Sequence, residues 1–283
     1  MPRCHAGRTC CRRPARRDAV SHKSPASAAR FPLALDKLAG AAATTRGITR
    51  APRPAQPASG PAGLGLDSAA VRERLVERIR AAITCHDAVA RAMQQVLRHR
   101  FVDSALATQA YEDTSLPIGL GQTISKPSVV ARMLSILLDG DAARARGNLG
   151  RSLEIGTGCG YQTALLGLLS RSVISIERLK ALHDKARDNL GAERPGDIRL
   201  VYGDGRVGHA PNAPYDSIIA AAGGDDLPAA WLDQLADGGR LVAPMQRADG
   251  SGQALLVVDR RGGTLHRSVH EAVHFVPLKS GLA

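Results

Sequence analysis

The sequence predicts an α/β protein: a doubly wound, mostly parallel seven-stranded sheet preceded by a helical cap. Three observations carry that expectation. From Arg151 onward, short aliphatic runs alternate with segments of helical period, the succession that builds parallel sheets. A glycine turn, Gly156-x-Gly158-x-Gly160, falls between the first run and the helix after it. Acidic residues, Glu177 and Asp204, then stand where the next two strands end.

Taken in order, Asp67 or Ser68 can cap a first helix through Val71 and Ile79, with apolar positions 71, 75, 76 and 79 in one stripe. A second helix is expected from Asp87 to about Leu97, with Val89, Met93, Val96 and Leu97 inward. Residues 116–125, Leu-Pro-Ile-Gly-Leu-Gly-Gln-Thr-Ile-Ser, are rich in turn formers and short polar side chains. They are expected as an ordered polar loop that adds nothing to the core. Pro127 suits the first turn of the next helix, which runs to Leu138. Strands are then expected over 152–155, 172–177, 199–203, 215–221 and 240–244, and helices over 161–170, 179–190 and 228–236. Gly238-Gly239 reads as a helix stop. Two more strands, 254–259 and 272–276, lack a helix between them, and Gly262-Gly263 separates them, so an antiparallel pair at one sheet edge is expected. The domain reading is a basic extension over 1–65 and one folded unit over 66–283. That unit divides into a cap with its polar loop, 66–126, and a core, 127–283.

The net charge of +12 first suggests a nucleic-acid binder. Its distribution argues otherwise. Residues 1–65 carry 12 Lys/Arg against 2 Asp/Glu, and the remainder carries 26 against 24. The basic segment has Arg, Ala, Pro and Ser throughout and no apolar period, so it is expected to be disordered. A transit peptide, a translation start further in, and a nucleic-acid-binding arm stay open beside that reading. Of five cysteines, Cys4, Cys10 and Cys11 lie in this segment, with only His5 beside them. No metal site is expected, and unpaired thiols fit a reducing cytosol. No apolar run approaches the roughly 18 residues of a membrane helix.

Glycine spacing decides between nucleotide cofactors. Dinucleotide sites use Gly-x-Gly-x-x-Gly, whereas the shorter spacing here matches S-adenosylmethionine-dependent enzymes. Glycines let the backbone approach a ligand, and amides at the helix start can hold a polar head. Glu177 follows Gly156 by 21 residues, where a carboxylate can accept both ribose hydroxyl protons. Asp204, in Gly203-Asp204-Gly205, stands where an acid beside the adenine is expected.

The two segments 116–125 and 153–163 together closely resemble the bacterial protein-L-isoaspartate O-methyltransferases, S-adenosylmethionine-dependent repair enzymes with a Rossmann-like fold. The resemblance covers roughly 68–283 and includes Arg100-Phe101-Val102, Ala213-Pro214-Tyr215-Asp216 and Glu271 to Leu278. It implies a methyl-donor pocket built from Glu154, Gly156, Thr157, Gly158, Glu177, Asp204 and Gly205. Gln122, Thr123, Ile124, Gly160 and Arg178 complete the expected cofactor-binding set. It implies that Ser125 is the active-site serine, holding the acceptor carboxylate, with Thr123 a second hydroxyl on the same loop. The substrates implied are age-damaged proteins bearing L-isoaspartyl residues, and the enzyme is expected to be a cytoplasmic monomer without nucleic-acid or membrane partners. Cys159 stands where the family usually has Ser, and Ala220 to Gly224 departs from the usual Thr-Ala-Ala-Pro. His183, His209 and His274 are scattered and are not expected as bases.

Three other readings fit the sequence less well. A nucleic-acid methyltransferase conflicts with the near-neutral body and the lack of an Asn/Asp-Pro-Pro-Tyr/Phe motif. A non-catalytic S-adenosylmethionine sensor has no need of the complete Gln122 to Ser125 run. A NAD-linked reductase needs the longer glycine spacing.

Overall fold

The computed structural model describes residues 68–191 and 194–283. The basic segment 1–65, and every expectation placed on it, lies outside the described residues.

Helix α1 (Ala69–Ala82) starts at Ser68, whose hydroxyl accepts the Val71 amide at 3.4 Å, and it buries Leu75, Val76 and Ile79. Helix α2 (Asp87–Gln95) is capped by the His86 ring and buries Val89, Ala90, Ala92 and Met93. Two 3₁₀ turns, Arg98–Phe101 and Ser104–Gln109, complete the cap.

The segment expected as a loop is an antiparallel hairpin, β1 (Leu116–Gly119) and β2 (Gln122–Ile124), with Leu116 opposite Ile124 and Pro117 opposite Thr123. Gly119, Leu120 and Gly121 all have positive φ at the turn. Two glycines take that conformation freely, whereas a leucine there is uncommon. The hairpin also feeds the core, contrary to expectation: Leu116, Ile118 and Ile124 are each 4% exposed. Their alternation with outward Pro117 and Thr123 is the period-2 signal that the glycine content masked.

Helices α3 (Pro127–Leu138) and α4 (Asp141–Arg146) lead into the main sheet. It is built from β3 (Arg151–Ile155), α5 (Tyr161–Leu169), β4 (Ser172–Glu177), α6 (Lys180–Leu190), β5 (Ile198–Tyr202), β6 (Tyr215–Ala220), α7 (Ala229–Asp233), β7 (Leu235–Gln246), β8 (Gln253–Arg261) and β9 (Thr264–Val273). The strand order is β5-β4-β3-β6-β7-β8-β9; pairing is parallel through β7 and antiparallel for β8 and β9. Strand order reverses at β3, which opens a crevice beyond its carboxyl end, the ligand position in such sheets. Aliphatic layers close both faces. Trp231 of α7 is fully buried on one of them, and its indole N–H donates to the Gly205 carbonyl at 2.8 Å.

Two expectations change at the far edge. Gly238-Gly239 is no helix stop: α7 ends at Asp233, and the glycines lie inside β7, where pairing slips between Tyr215–Leu235 and Ser217–Arg240. A Cβ on Gly239 would come 2.8 Å from the Ala236 carbonyl oxygen, so the irregular strand needs glycine. Strand β9 begins directly after Gly262-Gly263, eight residues before the expected strand start at 272. Its charged and polar side chains suit an exposed edge and obscured the strand in the sequence.

Candidate active site

Strand β3 ends at Ile155, and the chain turns through Gly156, Gly158 and Gly160, all with positive φ. The nearest atom to a Cβ built on Gly156 is the Ala221 methyl at 3.6 Å, so the turn leaves a bare backbone cradle. The cleft above it is lined by Gln122, Thr123, Ile124, Ser125, Gly156, Thr157, Gly158, Glu177, Arg178 and Gly205, ten of the residues expected at the site.

Three expected residues do not line it. Gly160 instead allows α5 to approach α6: an added Cβ would meet the Leu190 and Ala186 side chains at 3.3 and 3.4 Å. Glu154 is fully buried beneath the turn and accepts hydrogen bonds from Gln162 (3.0 Å), Thr163 (2.5 Å) and Ser175 (2.6 Å). Burial pushes its pKa up to about 7, against the pull of those three donors. Ser175 also meets the Thr157 hydroxyl at 2.6 Å, so Glu154 braces the glycine turn from below. Asp204 caps a 3₁₀ turn, accepting the Arg206 amide at 2.9 Å, and its other oxygen accepts the Gly281 amide at 2.7 Å. Its neighbour Gly205 forms the wall.

Glu177 closes β4 and is 5% exposed. One carboxylate oxygen accepts the Gly158 amide and the other the Leu179 amide, both at 2.9 Å. Each oxygen keeps a lone pair for a ligand hydroxyl. A fixed carboxylate beside a bare glycine cradle fits the ribose and polar head of S-adenosylmethionine.

The β1–β2 hairpin closes the other side. The Ile118 Cδ1 lies 3.3 Å from a Cβ position on Gly158, and Lys185 of α6 donates to the Ile118 carbonyl at 3.0 Å. Ser125 is half-buried, and its carbonyl accepts a hydrogen bond from Arg98 at 2.9 Å. The Ser128 amide donates to Asp113 at 2.8 Å and the Lys126 amide to Ser115 at 3.1 Å, so the exit from the hairpin is fixed as well.

One part of the site escaped sequence reasoning. The C-terminal segment returns across the strand ends, and Val276, Pro277, Leu278 and Lys279 line the cleft. The Leu278 amide donates to the Gly223 carbonyl at 2.7 Å, and the Gly223 amide to the Val276 carbonyl at 2.8 Å. Arg178 donates its Nε to the Gly281 carbonyl at 2.8 Å. Gly223 and Gly224 both use their amides, the latter toward Pro244, which a proline cannot do. Ala221 and Ala222 form the adjoining wall. Cys159 lines the cleft and is buried, whereas His183, His209 and His274 do not line it. Among the described residues no group of His, Cys, Asp and Glu could hold a metal ion, and no helix is long and apolar enough to cross a membrane.

This sheet, glycine turn and strand-end carboxylate define an S-adenosylmethionine-dependent methyltransferase. Within that class, the protein-L-isoaspartate(D-aspartate) O-methyltransferase family matches residues 70–283, and the chain belongs to that family. It is 59% identical over 263 residues to the protein-L-isoaspartate O-methyltransferase of Methylibium petroleiphilum, covering 90% of this chain and 97% of that one. It is 54% identical over 285 residues to the enzyme of the same name from Leptothrix cholodnii, covering 93% and 98%. Residues 66–283 make up only about 77% of the sequence, so this similarity reaches into the basic segment, upstream of where the resemblance was expected to start. Among solved structures, a protein-L-isoaspartate O-methyltransferase superposes with a TM-score of 0.66 at 26% identity, over 75% of this chain and 67% of the other. A Plasmodium falciparum protein assigned to the same activity, bound to S-adenosyl-L-homocysteine, gives 0.61 at 25% identity, over 74% and 98%.

Proposed function

We propose that the protein transfers a methyl group from S-adenosylmethionine to the free carboxylate of L-isoaspartyl residues in damaged proteins, with Ser125 holding that carboxylate. One observation carries this reading: the Gln122 to Ser125 segment shares a single cleft with the glycine turn and Glu177, so an acceptor and a methyl donor can meet there. The bound cofactor supplies an electrophilic sulfonium methyl.

The chain's own groups have a limited task. The acceptor is an α-carboxylate, with an ordinary pKa of about 3.5, so it is ionised at neutral pH and needs no base. It must lose water and point one oxygen along the line of the departing sulfur. The Ser125 hydroxyl can donate to one carboxylate oxygen and leave the other free to form the new bond. Glu177 orients the donor through its ribose, and Gly156 and Gly158 let the backbone come close. No Gly-x-Ser-x-Gly elbow surrounds Ser125, which agrees with a hydrogen-bonding rather than a covalent role. The backbone amide nitrogen of the following residue then attacks the methyl ester carbonyl and expels methanol, closing a succinimide without enzyme help, and addition of water to the ring returns some normal aspartate.

The reading extends to a monomer acting in the cytoplasm, on 66–283 as the working unit. The balance of 26 basic to 24 acidic residues beyond residue 65 supports a protein rather than a nucleic-acid substrate. The test is methyl transfer from labelled S-adenosylmethionine to an isoaspartyl peptide and to its normal aspartyl twin. Labelling of the first alone is expected. Equal labelling of both, or of neither, would remove the proposal.

A further inference from the structure

We infer that Arg98 is a positioning residue of the acceptor site: seated on Tyr161, it holds Ser125 by the carbonyl and fixes the acceptor hairpin against the methyl-donor cradle. The inference rests on the reading of Ser125 as the group that holds the acceptor carboxylate.

Arg98 opens the 3₁₀ turn after α2 and is 1% exposed. Its Nη2 donates to the Ser125 carbonyl at 2.9 Å and reaches the Thr114 carbonyl at 3.4 Å. The guanidinium carbon lies 4.8 Å from the centroid of the Tyr161 ring. Phe101, from the same turn, meets that ring edge-on at 5.7 Å. Tyr161 is the first residue of α5, directly after Gly160, and it lines the cleft. One side chain therefore joins three elements that are distant in sequence: the cap, the acceptor hairpin and the helix that follows the glycine turn.

The cost of this arrangement argues for a use. Nε and Nη1 are buried, and among the described residues neither makes a hydrogen bond of normal geometry; the side chain's polar interaction on that side is with Tyr161. An apolar side chain of similar volume would fill the space without desolvating a charge or leaving two donors poorly bonded. A guanidinium offers what a filler cannot: a flat face for the aromatic ring and in-plane donors for a carbonyl. Both features are used here, and both point at residues lining the reaction cleft. Lysine can supply the charge and one donor but not the flat face.

The variants R98K, R98M and S125A, with R98K/S125A and R98M/S125A, are compared in the full chain. Cofactor affinity is measured by calorimetry, stability by thermal unfolding, and kcat and KM with an isoaspartyl peptide. R98M is expected to keep cofactor affinity within about twofold and to lose about 10–100-fold in kcat, with R98K losing less. Each double variant is expected to be no slower than its slower single, because residues acting as one unit are not additive. Wild-type kcat in folded R98M, or losses that multiply with those of S125A, would overturn the inference while leaving Ser125 in its role. If R98M does not fold, R98K with R98K/S125A gives the same comparison, and multiplying losses there overturn it equally. Wild-type kcat in S125A would remove the reading of Ser125, and this inference with it.

Discussion

The Glu177 carboxylate accepts the Gly158 amide at 2.9 Å, so the acid that ends β4 is tied to the middle of the glycine turn that follows β3. Two features separated by 19 residues in sequence thus line the same cleft in a fixed arrangement.

Replacing Glu177 with Ala should therefore weaken S-adenosylmethionine binding more than it slows turnover at saturating cofactor. Two charge-assisted hydrogen bonds to ribose hydroxyls are lost, and two backbone amides lose their acceptor. A fall in affinity of about 10–150-fold is expected, from roughly 1.5–3 kcal/mol. Calorimetry returning the wild-type affinity would exclude a ribose contact.

Ser125→Ala should retain cofactor affinity and lose about 10–150-fold in methyl transfer, the worth of one hydrogen bond to a charged group. The serine is only half-buried, so the fold should survive. Steady-state rates on an isoaspartyl peptide, beside a calorimetric cofactor titration, decide it; unchanged turnover would place the carboxylate elsewhere.

Glu154 makes stability depend on pH. Its folded pKa of about 7 lies above the ordinary 4.5, so the folded state binds the proton more tightly. Its contribution is fully present below pH 4.5 and is lost as the pH rises through 7. The total is on the order of 3 kcal/mol. Glu154→Gln stays neutral throughout, so it should gain stability relative to the wild type between pH 5 and 8. Urea unfolding at both pH values reads the difference, and a gap independent of pH would show that burial does not govern this carboxyl.

Removing residues 280–283 should speed exchange of the cofactor. Those residues donate the Gly281 amide to Asp204 and accept the Arg178 side chain, beside the carboxylate expected to hold the ribose. A rise of several-fold in the cofactor dissociation rate is expected in stopped-flow measurements, with little change in the thermal midpoint. An unaltered rate would show that the segment merely covers the strand ends.

Deleting residues 1–65 should leave peptide methylation and thermal unfolding unchanged and abolish most salt-sensitive retention on a phosphate matrix. The segment holds 12 of the 38 basic residues against only 2 acidic ones. A large loss of activity would mean that it packs on the enzyme.

The sequence by itself determined the parallel sheet, the glycine turn, the strand-end acids and the place of residues 122–125 beside that turn's cleft. Each is encoded locally: by period, by residues that tolerate positive φ, or by a charge at a fixed distance from a turn. Tertiary structure decided what those residues face. Glu154 and Asp204 have the right type and spacing for ligand contact, yet neither lines the cleft: one Glu154 oxygen accepts Ser175 and Thr163 and the other Gln162, and Asp204 accepts the Arg206 and Gly281 amides. The hairpin at 116–124 is a β-element because Leu116, Ile118 and Ile124 can be buried against helices elsewhere in the chain. Glycines alone do not reveal that partner. Arg98 and the segment from Val276 to Lys279 reach the site only through the folded chain path. A hydrogen bond between residues 27 apart, such as Arg98 to Ser125, or 77 apart, such as Gly281 to Asp204, leaves no periodic trace in sequence. Long-range proximity is produced by the packing of whole elements, and no local pattern carries it.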